Sequence, residues 1–246
     1  VAMLRALGAL HLVTVSWGAL LLGFAAVNML VGNLMALRQT QVKRLLAYSS
    51  LSHMGYILLG VGAGAVLGSE NSAAGGFFHI LTHAMMKGLA FLAAGALLYS
   101  LHQALGNHDP LVVDDLNGAS RKYPLTAFAF SVAVLGLGGL PPLAGFMSKW
   151  QIFVGGFQTG NAWMMALVVF AALNSVLSLG YYAPLVNRLY RRQPASIVEQ
   201  GKPIPVLMSV PMVILSLGVV VLGFWPSLAD WLTGPATQSL LMLFGG

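Results

Sequence analysis

Residues 71–100 read NSAAGGFFHILTHAMMKGLAFLAAGALLYS, thirty residues with a single charge, Lys87. A helix needs about 20 mostly apolar residues to cross a bilayer. Strand alternation is absent, and the run is far too long for a strand of a β-barrel. It reads as a membrane-spanning helix that carries a cation inside. On the same run His79, His83 and Lys87 stand four residues apart, which puts all three on one helical face.

The rest of the chain reads the same way. It is 58% hydrophobic and 7% charged over 246 residues. Soluble domains carry roughly 25% charged residues, so a globular surface facing water is excluded. Mean hydropathy is +0.82. The gaps between charges predict six spans, near 12–36, 45–67, 74–100, 124–155, 161–187 and 204–232, within one transmembrane domain covering 1–246. The expected fold class is all-α, a polytopic membrane protein with its fourth span discontinuous. Alternate loops hold Arg38, Lys43 and Arg44, then Arg121 and Lys122, then Arg188, Arg191, Arg192 and Lys202. The other side has only Arg5. The positive-inside rule therefore predicts these three loops in the cytoplasm and both ends outside. The scattered basic residues form no patch for a nucleic-acid partner; the expected solvent is the lipid bilayer. Cysteines are absent, so disulfides and cysteine-ligated metals are excluded. The segment after Trp231 reads as a short apolar, interfacial piece.

The fourth span breaks its own helix at Gly136-Leu137-Gly138-Gly139-Leu140-Pro141-Pro142-Leu143-Ala144-Gly145-Phe146. Two prolines remove two amide donors, and three glycines before them weaken the helix further. A helix interrupted in the membrane frees carbonyls that protein or water must satisfy. Such breaks mark ion pathways in transporters; the alternative is a simple proline kink. Lys149 follows within two turns.

Lys87 and Lys149 are the candidate proton carriers. A cation at the centre of a span costs about 2.5–3.5 kcal/mol on insertion scales. Neither can snorkel to an end, and no Asp or Glu lies at the centre of a span. Each lysine must take a carboxylate from elsewhere or have its neutral amine within reach; a water-filled structural cavity is the alternative. Histidine passes a proton between its two nitrogens, so His79 and His83 in line with Lys87 suit a relay. A metal site is the rival reading, but the segment offers no third ligand. His53, in the polar stretch Tyr48–Tyr56, is either relay or packing; the serines beside it can bond carbonyls one turn back. Gly60, Gly64 and Gly68 recur every four residues and suit close helix packing. They do not fit a phosphate loop. His11, His102 and His108 read as surface groups near span ends or in loops. No nucleophile–base pair, nucleotide motif, metal site or cofactor site is visible, so no covalent chemistry is expected.

The run Gln39–Tyr56 (QTQVKRLLAYSSLSHMGY) resembles the signature of the antiporter-like membrane subunits. These occur in respiratory complex I (NADH–quinone oxidoreductase), in Mrp-type sodium/proton antiporters and in membrane-bound hydrogenases. The segment His79–Lys87 resembles the next helix of that family, and Leu140–Lys149 its second broken helix. The resemblance implies a fold of about fourteen helices with two five-helix units in inverted repeat. This chain aligns with the second unit plus the last helix, which implies a fragment or a split subunit whose N-terminal half is supplied separately. On the resemblance, Lys87 is the central connecting lysine, His79 and His83 the relay beside it, and Lys149 the lysine near the outer half-channel. Lysine at 149 argues against the M-type subunit, and the stop after six spans against the L-type. An N-type or Mrp D-like subunit is the best compromise.

The expected function is proton translocation in an NADH–quinone oxidoreductase of a prokaryotic cytoplasmic (inner) membrane. Electron transfer would occur in sister subunits, and Lys87, Lys149, His79, His83 and His53 would carry the proton. The alternatives are a sodium/proton antiporter, a membrane-bound hydrogenase, or a scaffold with a dead channel.

Overall fold

The computed structural model describes residues 16–244. Arg5, His11 and the first residues of the expected 12–36 span lie outside them. Nine α-helices are described: α1 Trp17–Leu37, α2 Val42–Leu67, α3 Glu70–Leu101, α4 Pro124–Gly138, α5 Ala144–Gln158, α6 Ala162–Leu189, α7 Ser196–Gln200, α8 Val206–Phe224 and α9 Asp230–Phe244. Among the described residues the only β pairing is an isolated bridge between Gln41 and Val112.

Five of these helices, α1, α2, α3, α6 and α8, are long and apolar enough to cross a membrane. Their ends follow local chemistry. Ser16, Ser69 and Asn161 cap α1, α3 and α6 by accepting the amide three residues on, which satisfies an orphan donor. Gly68 ends α2 at φ +62°, a left-handed conformation that glycine adopts without strain. The outer surface of the bundle is apolar. Leu173, Val176, Ile214 and Leu217 are each more than three-fifths exposed, as lipid contact requires.

The region expected as a fourth span, 124–155, is two helices of 15 residues each, α4 and α5. Gly139 turns left-handed at φ +81° between them. The expected last span, 204–232, is also divided. Trp225 leaves helical geometry before Pro226, because a residue preceding proline is pushed out of the α region. Beyond a short 3-10 turn, α9 lays Thr233, Thr237 and Leu240 inward. It packs on α2 and α3, with Leu240 beside Gly64 and Ala73. The segment after Trp231 is therefore helical and packed against the bundle. The two breaks adjoin: at Gly223 the α8 backbone lies against Pro142 and Leu143 with no room for a side chain.

The three basic loops meet at one end of the bundle. Val42 N donates to Leu111 O, Gly118 N to Arg188 O, and Lys202 N to Ser100 O. Arg188 pairs with Asp114 there. His102, expected at the surface, is instead buried, with Nε2 3.0 Å from Asp115 Oδ2. The long 101–123 loop holds the Asp115 carboxylate over the α3 terminus, against the His102 ring. His108 is exposed.

Gly60 and Gly64 serve the close packing expected of them. A side chain on Gly60 would sit 2.6 Å from Ser72 O, and one on Gly64 2.7 Å from Ala73 Cβ. Gly68, the third of that series, faces open space and acts only as a cap.

Candidate functional site

The break between α4 and α5 creates the first half of the site. In a continuous helix, Leu137 O and Gly138 O would accept from the amides of residues 141 and 142. Both are prolines and have no N–H to give. Those two carbonyls are claimed by side chains instead. Lys149 Nζ donates to Leu137 O at 2.9 Å, and Ser175 Oγ of α6 donates to Gly138 O at 3.4 Å. Lys149 also donates to Ser175 Oγ at 2.9 Å. Its ammonium stands over the ring of Tyr56, 4.7 Å from the centroid.

Lys87 occupies an equivalent setting on α3. It donates to Leu46 O at 2.6 Å and to Ser49 Oγ at 2.5 Å, both on α2. It lies 17 residues from Glu70 and 14 from Leu101 in α3, about 25 Å and 21 Å at 1.5 Å per residue. Both lysines are buried, at 6% and 2% exposure. Neither meets a carboxylate among the described residues. Each ammonium rests on one backbone carbonyl and one serine hydroxyl.

Between the lysines lies a line of hydrogen-bonding side chains drawn from four helices. Ser49 accepts from Lys87 at one end. The Tyr182 hydroxyl of α6 is 3.4 Å from His53 Nε2. His53 Nδ1 is 3.0 Å from His79 Nε2, and their rings stack 5.2 Å apart. His79 Nδ1 is 2.8 Å from Ser148 Oγ on α5, which also accepts from Thr82 at 3.2 Å. His53 and His79 are almost wholly buried. His83 is half-buried, and its ring centroid is 5.2 Å from that of His53. Its Nε2 has no hydrogen-bond partner among the described residues.

The five candidate residues are thus gathered in one region, but not along one helix. His79, His83 and Lys87 keep their spacing on α3, while the hydrogen bonds of His79 and Lys87 cross to α2 and α5. Sequence reasoning missed Ser148, Tyr182, Tyr56 and Ser175. Ser148 precedes Lys149 and sits one helical turn past Ala144, a weak signal for a polar inward face. Tyr182 and Ser175 gave none, since hydroxyls in an apolar span usually bond their own helix. Ser49 and Ser50 do so as well, both donating to Leu46 O.

A second buried polar cluster ties α1 to α6. Asn33 Nδ2 donates to Asn174 O at 2.8 Å and to Asn174 Oδ1 at 3.1 Å, while Tyr181 donates to Asn33 Oδ1 at 2.9 Å. Tyr181 precedes Tyr182, so this clasp fixes the α6 turn that presents a hydroxyl to His53.

Comparison with known proteins follows the same outline. The family described as NADH:quinone oxidoreductase/Mrp antiporter, transmembrane, matches residues 1–175. The F(420)H(2) dehydrogenase subunit N of Methanosarcina mazei is 41% identical over 212 residues, 85% of this chain and 41% of the relative. The NADH-quinone oxidoreductase subunit N of an Anaeromyxobacter species is 32% identical over 239 residues, 94% of this chain and 43% of the relative. This chain spans about two-fifths of the length of the curated relatives it matches. Among solved structures, a chain of respiratory complex I from Thermus thermophilus with bound aureothin superposes with TM-score 0.68 at 33% identity, over 86% of this chain and 44% of that one. A chain of the Mrp complex from a Dietzia species superposes with TM-score 0.77 at 23% identity, over 91% and 47%; that likeness is one of fold.

Proposed function

We propose a function from one premise: the chain belongs to the NADH:quinone oxidoreductase/Mrp antiporter transmembrane family, and its buried line of side chains is a proton relay. The protein is read as part of a proton-translocating membrane subunit of the N type, in an oxidoreductase that delivers redox energy from sister subunits. The observation that carries this is the hydrogen-bonded run Tyr182–His53–His79–Ser148, with the Lys87–Ser49 pair near one end and Lys149 near the other. Every member can donate or accept, and among the described residues none is committed to a carboxylate.

The chemistry follows from the geometry. A neutral imidazole accepts at one nitrogen while it donates at the other. A proton reaching His53 Nε2 leaves from Nδ1 to His79 Nε2, and His79 Nδ1 hands one on to Ser148. Passage reverses the direction of every bond in the line. The line then resets by rotation of hydroxyls and exchange of tautomers. His83, whose Nε2 is unpartnered among the described residues, supplies a side station between His53 and Lys87. Moving one charge against 100 mV costs about 2.3 kcal/mol. Modest changes in the setting of each group suffice for that.

On this reading the basic loops face the cytoplasm and both ends face outward, in a prokaryotic inner membrane. The partners are the other membrane subunits and the N-terminal half of the fold. The relatives in hand are named for NADH and for F(420)H(2), so the electron donor is set by sister subunits and not by this chain. The second reading, a sodium/proton antiporter, rests on the shared fold with the Mrp complex.

The test is Lys149→Ala in the assembled complex. Proton pumping is expected to fall to background while quinone-linked electron transfer persists at a reduced rate. Normal pumping with normal assembly would reduce the chain to a scaffold. Sodium-dependent transport without an electron donor would establish the antiporter reading instead.

A further inference from the structure

Among the described residues no hydrogen bond joins Lys149 to the histidine pair. The hydrogen bonds of Lys149 run to Leu137 O and Ser175, and Ser148 is bonded to His79. The ring of Tyr56 fills the space between. Its centroid is 4.7 Å from Lys149 Nζ, 5.9 Å from the His53 ring and 5.9 Å from the His79 ring. Phe153 closes a further side at 6.3 Å. Tyr56 is 1% exposed, and its hydroxyl donates to Ala171 O at 3.2 Å. The ring is thus held at both its edge and its face.

An aromatic ring neither passes nor stores a proton at its face. It does attract a cation there, most strongly where water is excluded. An ammonium is held over the ring, and a neutral amine is not. The charge on Lys149 therefore decides how firmly the ring stays in place. The charged groups facing the ring are Lys149 and, when protonated, His53 and His79, whose rings meet it edge-on or tilted.

We infer that Tyr56 is a charge-sensing partition, a positioning residue that keeps Lys149 apart from the His53–His79–Ser148 line until the ammonium gives up its proton. This rests on the relay reading above and deepens it. With Lys149 charged, the ring is clamped and the two compartments do not exchange. With Lys149 neutral, the clamp is lost, and the ring can yield to water linking Nζ to His79. A charged Lys149 thus cannot exchange its proton directly with the histidine pair.

The test uses the assembled complex in sealed vesicles. Tyr56→Leu removes the ring face, and Tyr56→Met fills the space with a flexible chain. Both are expected to retain electron transfer but to dissipate an imposed pH gradient at rest about thirtyfold faster than the parent, the factor a desolvated cation–π contact is worth. Their proton-to-electron ratio should fall. Tyr56→Phe keeps the face and should restore the resting gradient. Adding Lys149→Ala to Tyr56→Leu should abolish the leak. Parental gradient decay in both Tyr56→Leu and Tyr56→Met overturns the inference. So does an equal leak in Tyr56→Phe, or failure of both ring-less variants to assemble while Tyr56→Phe assembles. Lys149→Ala alone separates the two levels. Normal pumping in it sinks the relay itself, whereas lost pumping beside a tight Tyr56→Leu sinks only the partition.

Discussion

Replacing Lys87 by methionine is expected to leave the bundle as stable as the parent and to stop proton transfer, while Ser49→Ala weakens the bundle. The asymmetry comes from who is left unpaired. Leu46 O accepts from Lys87, but also from Ser49 Oγ at 2.9 Å and Ser50 Oγ at 3.1 Å. Removing the lysine therefore orphans nothing, and methionine fills the same volume. The cost of about 2.5–3.5 kcal/mol for a cation within a span disappears with it. Ser49→Ala acts the other way. It leaves a buried ammonium with one acceptor in place of two, and a hydrogen bond to a charged group is worth about 1.5–3 kcal/mol. The assay is amide hydrogen exchange over residues 46–53 in the assembled complex, which reads local opening. Ser49→Ala should speed exchange roughly ten- to a hundredfold, the equivalent of that energy. Lys87→Met should not speed it. The double variant Ser49→Ala/Lys87→Met should return close to the parent rate, because the cost of losing Ser49 exists only while the ammonium is there. If exchange in the double variant stays as fast as in Ser49→Ala, the serine acts through packing and the reasoning fails.

Two further outcomes are expected. Asn33→Ala should lower thermal stability by about 2–4 kcal/mol, since it strands both the Asn174 side chain and the Tyr181 hydroxyl; Asn33→Ala combined with Tyr181→Phe should cost less than the sum of the two, read by melting of the purified complex. Gly60→Ala should impair assembly, because its new methyl would meet Ser72 O and the α3 backbone, whereas Gly68→Ala meets no atoms and should cost only about 1 kcal/mol of left-handed strain. Subunit yield on native gels separates the two, and equal losses would mean that helix proximity does not decide the outcome.

Much of this architecture was legible because lipid imposes a simple rule. Long runs between charges became helices, and the basic loops do meet at one end. The discontinuity at Pro141-Pro142 could be read because proline lacks a donor wherever it sits. What sequence hid was mutual position. His79 and His83 are spaced for a line along α3, yet His79 bonds to His53 and Ser148 on two other helices. Spacing in one helix says nothing of the rotation of its neighbours. Tyr182 and Ser175 were invisible for the same reason, since a hydroxyl gains meaning only from what stands opposite. His102 was misread as superficial because its carboxylate, Asp115, arrives from a loop that composition alone leaves open. The division at Trp225-Pro226 carried the same proline signal, and the apolar flanks concealed it.

Both lysines rest on amide oxygens and serines, and this choice of support has an electrical consequence. A lysine paired with a carboxylate would form a nearly neutral couple whose field fades within a few ångströms. Supported on dipoles alone, each ammonium contributes a whole uncompensated charge to a poorly screened interior. Two such charges repel through an interior whose effective dielectric, about 20, is far below that of water. Filling one perch thus makes the other harder to fill, so the pair favours taking turns, and a disturbance at one is felt at the other without any side chain having to move.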